Sequence, residues 1–134
     1  MKLLKTSLCF LGLAAFCSAA DVSKISPAEA AKKVADGEAV IIDVREPAEW
    51  AESGVAAPAV LLPMSDLNGD QKLWKPFLEA NAGKDLIVYC RSGARSGRVA
   101  AKLIEQGHTV ENAGGFKEWE SAGLPVRKVE PAKK

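Results

Sequence analysis

Aromatic residues are scarce in this sequence, at 6%; histidine occurs once, as His108, and neither sign of charge prevails. Eighteen Lys and Arg face seventeen Asp and Glu, a formal net charge of +1 over 134 residues. A chain so nearly neutral lacks the basic footprint of a nucleic-acid binder, and it carries no acidic tail. Long hydrophobic runs are also missing. The apolar run from Leu8 to Cys17, with Gly12 inside it, is about half of the ~20 residues that a spanning helix needs. The length suits one domain and would cramp two. What is present is an ordinary globular balance, 48% apolar and 26% charged, too apolar for a disordered chain.

Residues 1–20 read as a secretory signal peptide and not as part of the fold. Lys2 and Lys5 open it, the apolar run follows, and Ser18-Ala19-Ala20 supply the small residues that precede cleavage, expected after Ala20 or Ala19. A lipoprotein anchor fits poorly, because Leu8 precedes Cys9 and Phe16 precedes Cys17 where a small residue is needed. The expectation is an exported protein, periplasmic first and secreted as the alternative, with no stable membrane anchor after cleavage. Loss of Lys2 and Lys5 would leave sixteen basic against seventeen acidic residues, a formal net charge of −1. Cys9 and Cys17 would leave too, and Cys90 would stand alone. Exported domains use cysteine in disulfide pairs. A single thiol in an oxidising compartment is a liability unless it is buried or does chemistry.

The rest alternates between helix and strand signals. Ser26-Pro27-Ala28-Glu29 opens a helix as a capping box with Pro at its first position, and Gly37 ends it. Val40 to Val44 and Asp85 to Tyr89 are short apolar runs of the buried-strand kind. Between them lie a short helix from Pro47 to Glu52, a strand at Ala59–Leu62, and a helix carrying Leu73, Trp74, Phe77 and Leu78, delimited or bent by Pro76. Ser96 to Gln106 is expected as a helix with Gly107 after it, Thr109-Val110 as a weak strand, and Phe116 to Ser121 as a short helix opened by Gly114-Gly115. Trp50, Trp74 and Trp119 sit at amphipathic positions and read as core. The pattern is that of an α/β domain with a mainly parallel sheet, residues 21–127, followed by a polar tail, 128–134.

Chemistry concentrates at the end of one strand. Tyr89-Cys90-Arg91-Ser92-Gly93-Ala94-Arg95-Ser96 joins an apolar strand to a helix start. Open α/β sheets bind ligands at the carboxyl ends of their strands. A short loop feeding a helix N-terminus aims backbone N–H groups and the positive end of the dipole at one spot. A cysteine there becomes the anion they stabilise, so its thiol pKa falls and more nucleophile is present at neutral pH. Arg91 and Arg95 add positive charge that favours the thiolate, holds an anionic substrate, or both. Gly93 allows a backbone conformation other residues resist. The competing readings are an inert core cysteine, surface arginines, and turn or cap chemistry for Ser92 and Ser96, the cap being the favoured role of Ser96.

This loop resembles the active-site loop of single-domain rhodaneses, the sulfurtransferases. Ile42-Asp43-Val44-Arg45-Glu46-Pro47-Ala48-Glu49-Trp50 is similar to that family's N-terminal signature. Gly114-Gly115-Phe116-Lys117-Glu118-Trp119 with Ala122-Gly123-Leu124-Pro125-Val126 is similar to its C-terminal one. The three blocks occur in family order across most of residues 26–127. The resemblance implies a five-stranded parallel sheet with helices on both faces. It implies transfer of a sulfane sulfur from a small anionic donor such as thiosulfate to a thiophilic acceptor, cyanide or a thiol, through a persulfide on Cys90. Arg91, Ser92, Gly93, Ala94, Arg95 and Ser96 would form the substrate cradle. No metal or organic cofactor is implied; a protein sulfur acceptor or thiol reductant would be a further partner. The family's His-containing segment after the first signature is replaced by Gly54-Val55-Ala56-Ala57-Pro58-Ala59, which bears on loop support and not on the nucleophile. His108 reads as a bland residue after a helix, and Asp43, Arg45 and Glu49 as a structural ion-pair set near the sheet end.

Three other readings compete. Cysteine phosphatases and arsenate reductases of related fold use Cys-x5-Arg, whereas Cys90 to Arg95 is Cys-x4-Arg, a tighter cradle better suited to sulfur than to a tetrahedral oxyanion. A non-catalytic docking module of this family would often lack the cysteine. A persulfide carrier would use the same Cys90 and hand the sulfur to a protein. With one mature cysteine, an intramolecular dithiol cycle is excluded.

Overall fold

The computed structural model describes residues 21–131. The signal-peptide reading, its cleavage position, Cys9 and Cys17 lie outside the described residues, as do residues 132–134 of the tail. Four strands, β1 (Ala39–Asp43), β3 (Val60–Leu61), β4 (Asp85–Cys90) and β5 (Val110–Gly115), form a parallel sheet in the order β3-β1-β4-β5. Helices α1 (Pro27–Ala35), α2 (Pro47–Ser53), α3 (Met64–Leu67), α4 (Trp74–Ala80), α5 (Ala94–Glu105) and α6 (Phe116–Ser121) fill the connections. Two more short strands, β2 (Val55–Ala56) and β6 (Val126–Arg127), pair antiparallel to each other away from the main sheet.

Side chains alternate across a strand, and this alternation divides the core in two. Ile42, Leu86, Val88 and Cys90 face Leu67, Trp74, Val99 and Leu103 of α3, α4 and α5. Ile41, Ile87 and Tyr89 face the opposite way, toward Ala30 of α1 and Phe116 and Trp119 of α6. Strands covered on both sides must be apolar at successive positions, which is why Val40–Ile42 and Leu86–Val88 read as unbroken runs. Each buried Ile, Leu or Val contributes roughly 1.5–3 kcal/mol.

The strand order locates the site. From β1 the chain leaves through α2 to β3 on one side; from β4 it leaves through α5 to β5 on the other. Where neighbouring strands send their connections in opposite directions, a crevice opens at their carboxyl ends. Those ends are Asp43 and Cys90, with Asp43 opposite Tyr89 in the register.

Four strands stand where the resemblance implied five. Beside β5 there is, among the described residues, only a single parallel bridge, Lys24 to Asn112, supported by Ile25 N–H on Asn112 O (3.0 Å) and Asn112 N–H on Ser23 O (2.9 Å). Ser26 already caps α1 and Pro27 is its first residue, so the segment turns into a helix before it can run as a strand. Two boundaries also differ from expectation. The weak strand at Thr109-Val110 is the start of a six-residue β5 that reaches Gly115, held by β4 on one side and Ser23–Ile25 on the other. Helix α5 starts at Ala94 and not at Ser96, because Gly93 takes the cap position in the left-handed region (φ 96°, ψ −10°). Pro76 is the third residue of α4, inside the first turn, where its missing N–H breaks no helical bond. Among the described residues no helix is long and apolar enough to cross a membrane.

Trp74 has no exposed surface, donates its indole N–H to Pro63 O (2.9 Å) and meets Phe77 edge to face. Trp74→Ala is expected to destabilise the fold by ~3–5 kcal/mol in urea unfolding. The same change at neighbouring Leu73, which is 52% exposed, should stay within about 0.5 kcal/mol of wild type.

Candidate active site

Cys90 is the last residue of β4 and points into the α5 core, with none of its surface exposed. The chain turns over it through Arg91, Ser92 and Gly93 and enters α5 directly. Gly93 N–H lies 3.0 Å from the sulfur and Ser96 Oγ, in the first turn of the helix and fully buried, lies 3.3 Å from it. Burial pushes the Cys90 thiol up, but hydrogen bonds from the Ser96 hydroxyl and from the backbone N–H groups of Ser96, Ser92 and Gly93 outweigh it. The thiol therefore titrates below the ordinary cysteine value. The N-terminal end of a twelve-residue helix adds its dipole in the same sense.

The loop is held from outside by β5. Gly115 pairs with Cys90 in the sheet, and a Cβ built there would collide with the Arg91 carbonyl oxygen, so only glycine lets the loop backbone lie this close. Asn112 reaches across from the same strand. Its Nδ2 donates to Gly93 O (3.0 Å), while its Oδ1 accepts from Gly114 N–H (3.0 Å) and lies 2.8 Å from Ser96 Oγ.

Two arginine ion pairs frame the crevice. Arg45, 3% exposed, binds both oxygens of the fully buried Asp43, with Nη2 to Oδ2 at 2.7 Å. It also donates to Ser53 Oγ (2.8 Å) and Gly54 O (2.9 Å) and lies 4.6 Å from the centre of the Phe116 ring. Burial alone would lower its pKa; the Asp43 carboxylate more than reverses that. Tyr89 accepts from Ala56 N–H (2.9 Å) beside this pair, and burial first, then the Asp43 charge, push its phenol up. The second pair joins α5 to α2: Arg95 donates from Nη1 and Nη2 to Glu49 Oε1 (2.6 Å) and Oε2 (2.8 Å). The Arg95 hydrogen bond holds the Glu49 carboxyl down at about 2.

A family model described as a rhodanese-like domain matches residues 26–122. The chain belongs to the rhodanese-like family. It is 34% identical over 108 residues to a sulfurtransferase of Allochromatium vinosum, across 78% of this chain and 94% of that one. It is 36% identical over 107 residues to a putative sulfurtransferase of Bacillus subtilis, across 78% of this chain and 97% of that one. Among solved structures it is similar to the polysulfide-sulfur transferase homodimer of Wolinella succinogenes, with a TM-score of 0.65, 27% identity, and coverage of 82% of this chain and 81% of that one. Its relatives within that family thus carry sulfurtransferase names.

In this rhodanese-like site the expected cradle residues take unequal places. Ser92, Gly93 and Ser96 put their donors on the sulfur. Ala94 is the exposed first residue of α5. Arg91 is exposed at the mouth of a cleft of about 530 Å³ shared with Ser53, Phe116, Lys117 and Glu120, and no ion pair engages it among the described residues. Arg95 points instead at Glu49, so Glu49 leaves the expected set with Asp43 and Arg45. Ser96 is not the helix cap; it is interior to α5 and turned to the sulfur. Sequence reasoning missed Asn112. Its signal was an amide in a strand position, where β-propensity disfavours it, just ahead of Gly114-Gly115. Where the family's histidine is missing, Val55 and Ala56 pair with Val126 and Arg127. Arg127 adds bonds to Ala57 O (3.1 Å) and Ala59 O (2.8 Å).

Because the folded-state carboxyl of Glu49 titrates near 2 against an ordinary 4.5, its pairing stabilises the fold fully above pH 4.5 and is lost as pH falls through about 2. Glu49→Gln is expected to flatten that part of the acid-unfolding curve, measured by circular dichroism between those pH values.

Proposed function

We propose that this sulfurtransferase moves a sulfane sulfur from a small anionic donor such as thiosulfate to a thiophilic acceptor, cyanide or a thiol, through a persulfide on Cys90. The observation that carries this reading is the donor set converging on one buried sulfur with a lowered pKa. The Cys90 thiolate attacks the outer sulfur of thiosulfate, the S–S bond breaks, and sulfite leaves with the electron pair. The anion now sits on the outer sulfur of the persulfide. Cyanide attacks that sulfur, forms thiocyanate and returns the thiolate. Charge shifts by one sulfur atom and back, and fixed backbone N–H donors serve both states with little reorganisation.

Cys90 has no exposed surface, and the exposed residues of the loop that covers it are Arg91 and Ser92. Arg91 is the loop arginine available to a donor anion, and Lys117 lines the same cleft beside the carboxylates Glu52 and Glu120. Arg95 is committed to Glu49, which supports sulfur transfer over phosphoryl chemistry, since the latter needs that arginine on the oxyanion. An activated thiol supports a sulfur-handling role over a docking module. A protein acceptor or thiol reductant stays within the proposal, as does export of the chain to the periplasm after removal of residues 1–20, which rests on the sequence pattern of those residues.

Intact-mass analysis tests the half-reactions. Wild type is expected to gain about 32 Da with thiosulfate and lose it to cyanide, and Cys90→Ser to do neither. No gain on a free, reduced thiol would remove thiosulfate as donor. Arg91→Ala is expected to raise the thiosulfate KM roughly 5–30-fold, the equivalent of ~1–2 kcal/mol for one exposed charge-assisted contact, with little change in Tm. Arg95→Ala is expected to lower Tm instead.

A further inference from the structure

Ser96 has one hydroxyl proton and two groups waiting for it. Its Oγ lies 2.8 Å from Asn112 Oδ1 and 3.3 Å from Cys90 Sγ. An amide oxygen only accepts, and a serine hydroxyl donates once. The amide orientation is pinned by backbone on both sides: Oδ1 faces Gly114 N–H and Nδ2 faces Gly93 O, each at 3.0 Å, and a flip would oppose like groups at both. When Cys90 is a thiol, its S–H donates to Ser96 Oγ and the Ser96 hydroxyl donates to Asn112. When Cys90 is a thiolate, it can only accept, so the Ser96 hydroxyl turns to the sulfur. Asn112 Oδ1 then keeps Gly114 N–H alone.

We propose that Asn112 is a positioning residue of the sulfur-transfer site, acting on Cys90 through Ser96. It competes with the sulfur for the Ser96 proton, and it holds Gly93 so that the Gly93 N–H stays aimed at Sγ. The first action opposes the thiolate and the second favours it, so Asn112 sets how far the thiol pKa falls. This rests on the sulfurtransferase reading of the same site. The charged groups near the sulfur are Arg91 on the loop, Arg95 of α5 with Glu49 of α2, the Asp43–Arg45 pair beyond β1, and Lys24, which is bridged to Asn112 beside β5. Glu118 of α6 also lies there, its carboxylate beside Gly114. None is altered in the test, so their effects cancel in a cycle.

The test is the pH dependence of Cys90 alkylation by iodoacetamide in wild type, Ser96→Ala, Asn112→Ala and the double variant, with Tm measured for each. Ser96→Ala is expected to raise the apparent thiol pKa. Asn112→Ala is expected to raise it more in the Ser96→Ala background, where only the Gly93 clamp is lost, than in wild type, where the freed hydroxyl offsets part of that loss. The difference should be at least ~0.4 pH units, the low end for side chains sharing one network. Equal shifts in both backgrounds, or no shift in either, would overturn the proposal, because a purely structural Asn112 lowers Tm without coupling to Ser96. If Asn112→Ala does not fold, Asn112→Asp decides in the same cycle. Its carboxylate grips the Ser96 proton harder, so its upward shift should shrink when Ser96 is Ala, and an unchanged shift overturns the proposal. Alkylation needs no sulfur donor. Failure to load sulfur with the coupling intact would count against the proposed reaction and not against Asn112.

Discussion

A sulfur anion with no exposed surface must be solvated by the protein that encloses it. Water would supply several donors to a thiolate; here the Gly93, Ser92 and Ser96 N–H groups and the Ser96 hydroxyl take that place. Without them burial would hold the thiol protonated and unreactive. Much of the architecture around the crevice follows from this requirement. Strand β4 carries Cys90 to the sheet's carboxyl edge. Gly93 turns the backbone through the left-handed region so that α5 begins at once, with its N-terminal donors facing back toward the sulfur. Gly115 has no side chain, so the loop can lie flat against β5.

Charge in the crevice is sorted by burial. The most enclosed arginine, Arg45, is neutralised by Asp43 and saturated by Ser53 and Gly54, as an unpaired buried guanidinium would be prohibitive. By joining the end of β1 to the end of α2 and lying over Phe116, it braces the floor beside the site. Arg95, partly exposed, ties the first turn of α5 to α2. Its contribution to thiolate stability is therefore through space and partly offset by Glu49. Arg91 is exposed and enters no ion pair among the described residues. Three arginines that look alike along the chain thus serve as floor, brace and candidate anion contact.

Much of the fold was legible along the chain because two strong local rules were at work. Doubly covered parallel strands must be apolar throughout, which exposed β1 and β4, and caps and breakers such as Ser26-Pro27 and Gly37 marked helix ends. The misreadings share a cause. Asn112-Ala113-Gly114-Gly115 has poor strand propensity and became strand only because β4 and Ser23–Ile25 pair with it from both sides. Ser96 looked like a cap because a serine near a helix start usually is one. A glycine with positive φ three residues earlier took that place.

The sequence by itself determined the α/β alternation, the place of Cys90 at a strand end, the loop that surrounds it and the family to which these belong. All of these depend on residue type and on neighbours within a few positions. Only the tertiary structure decided that Arg95 answers Glu49, that Arg91 has no ion-pair partner among the described residues, and that Asn112 and the sulfur both lie within reach of one serine hydroxyl. Those outcomes turn on partners 46 and 16 residues apart that meet only when α2 and β5 pack beside α5. Hydrogen bonds act over about 3 Å, and nothing in local propensity encodes a distance across the sheet.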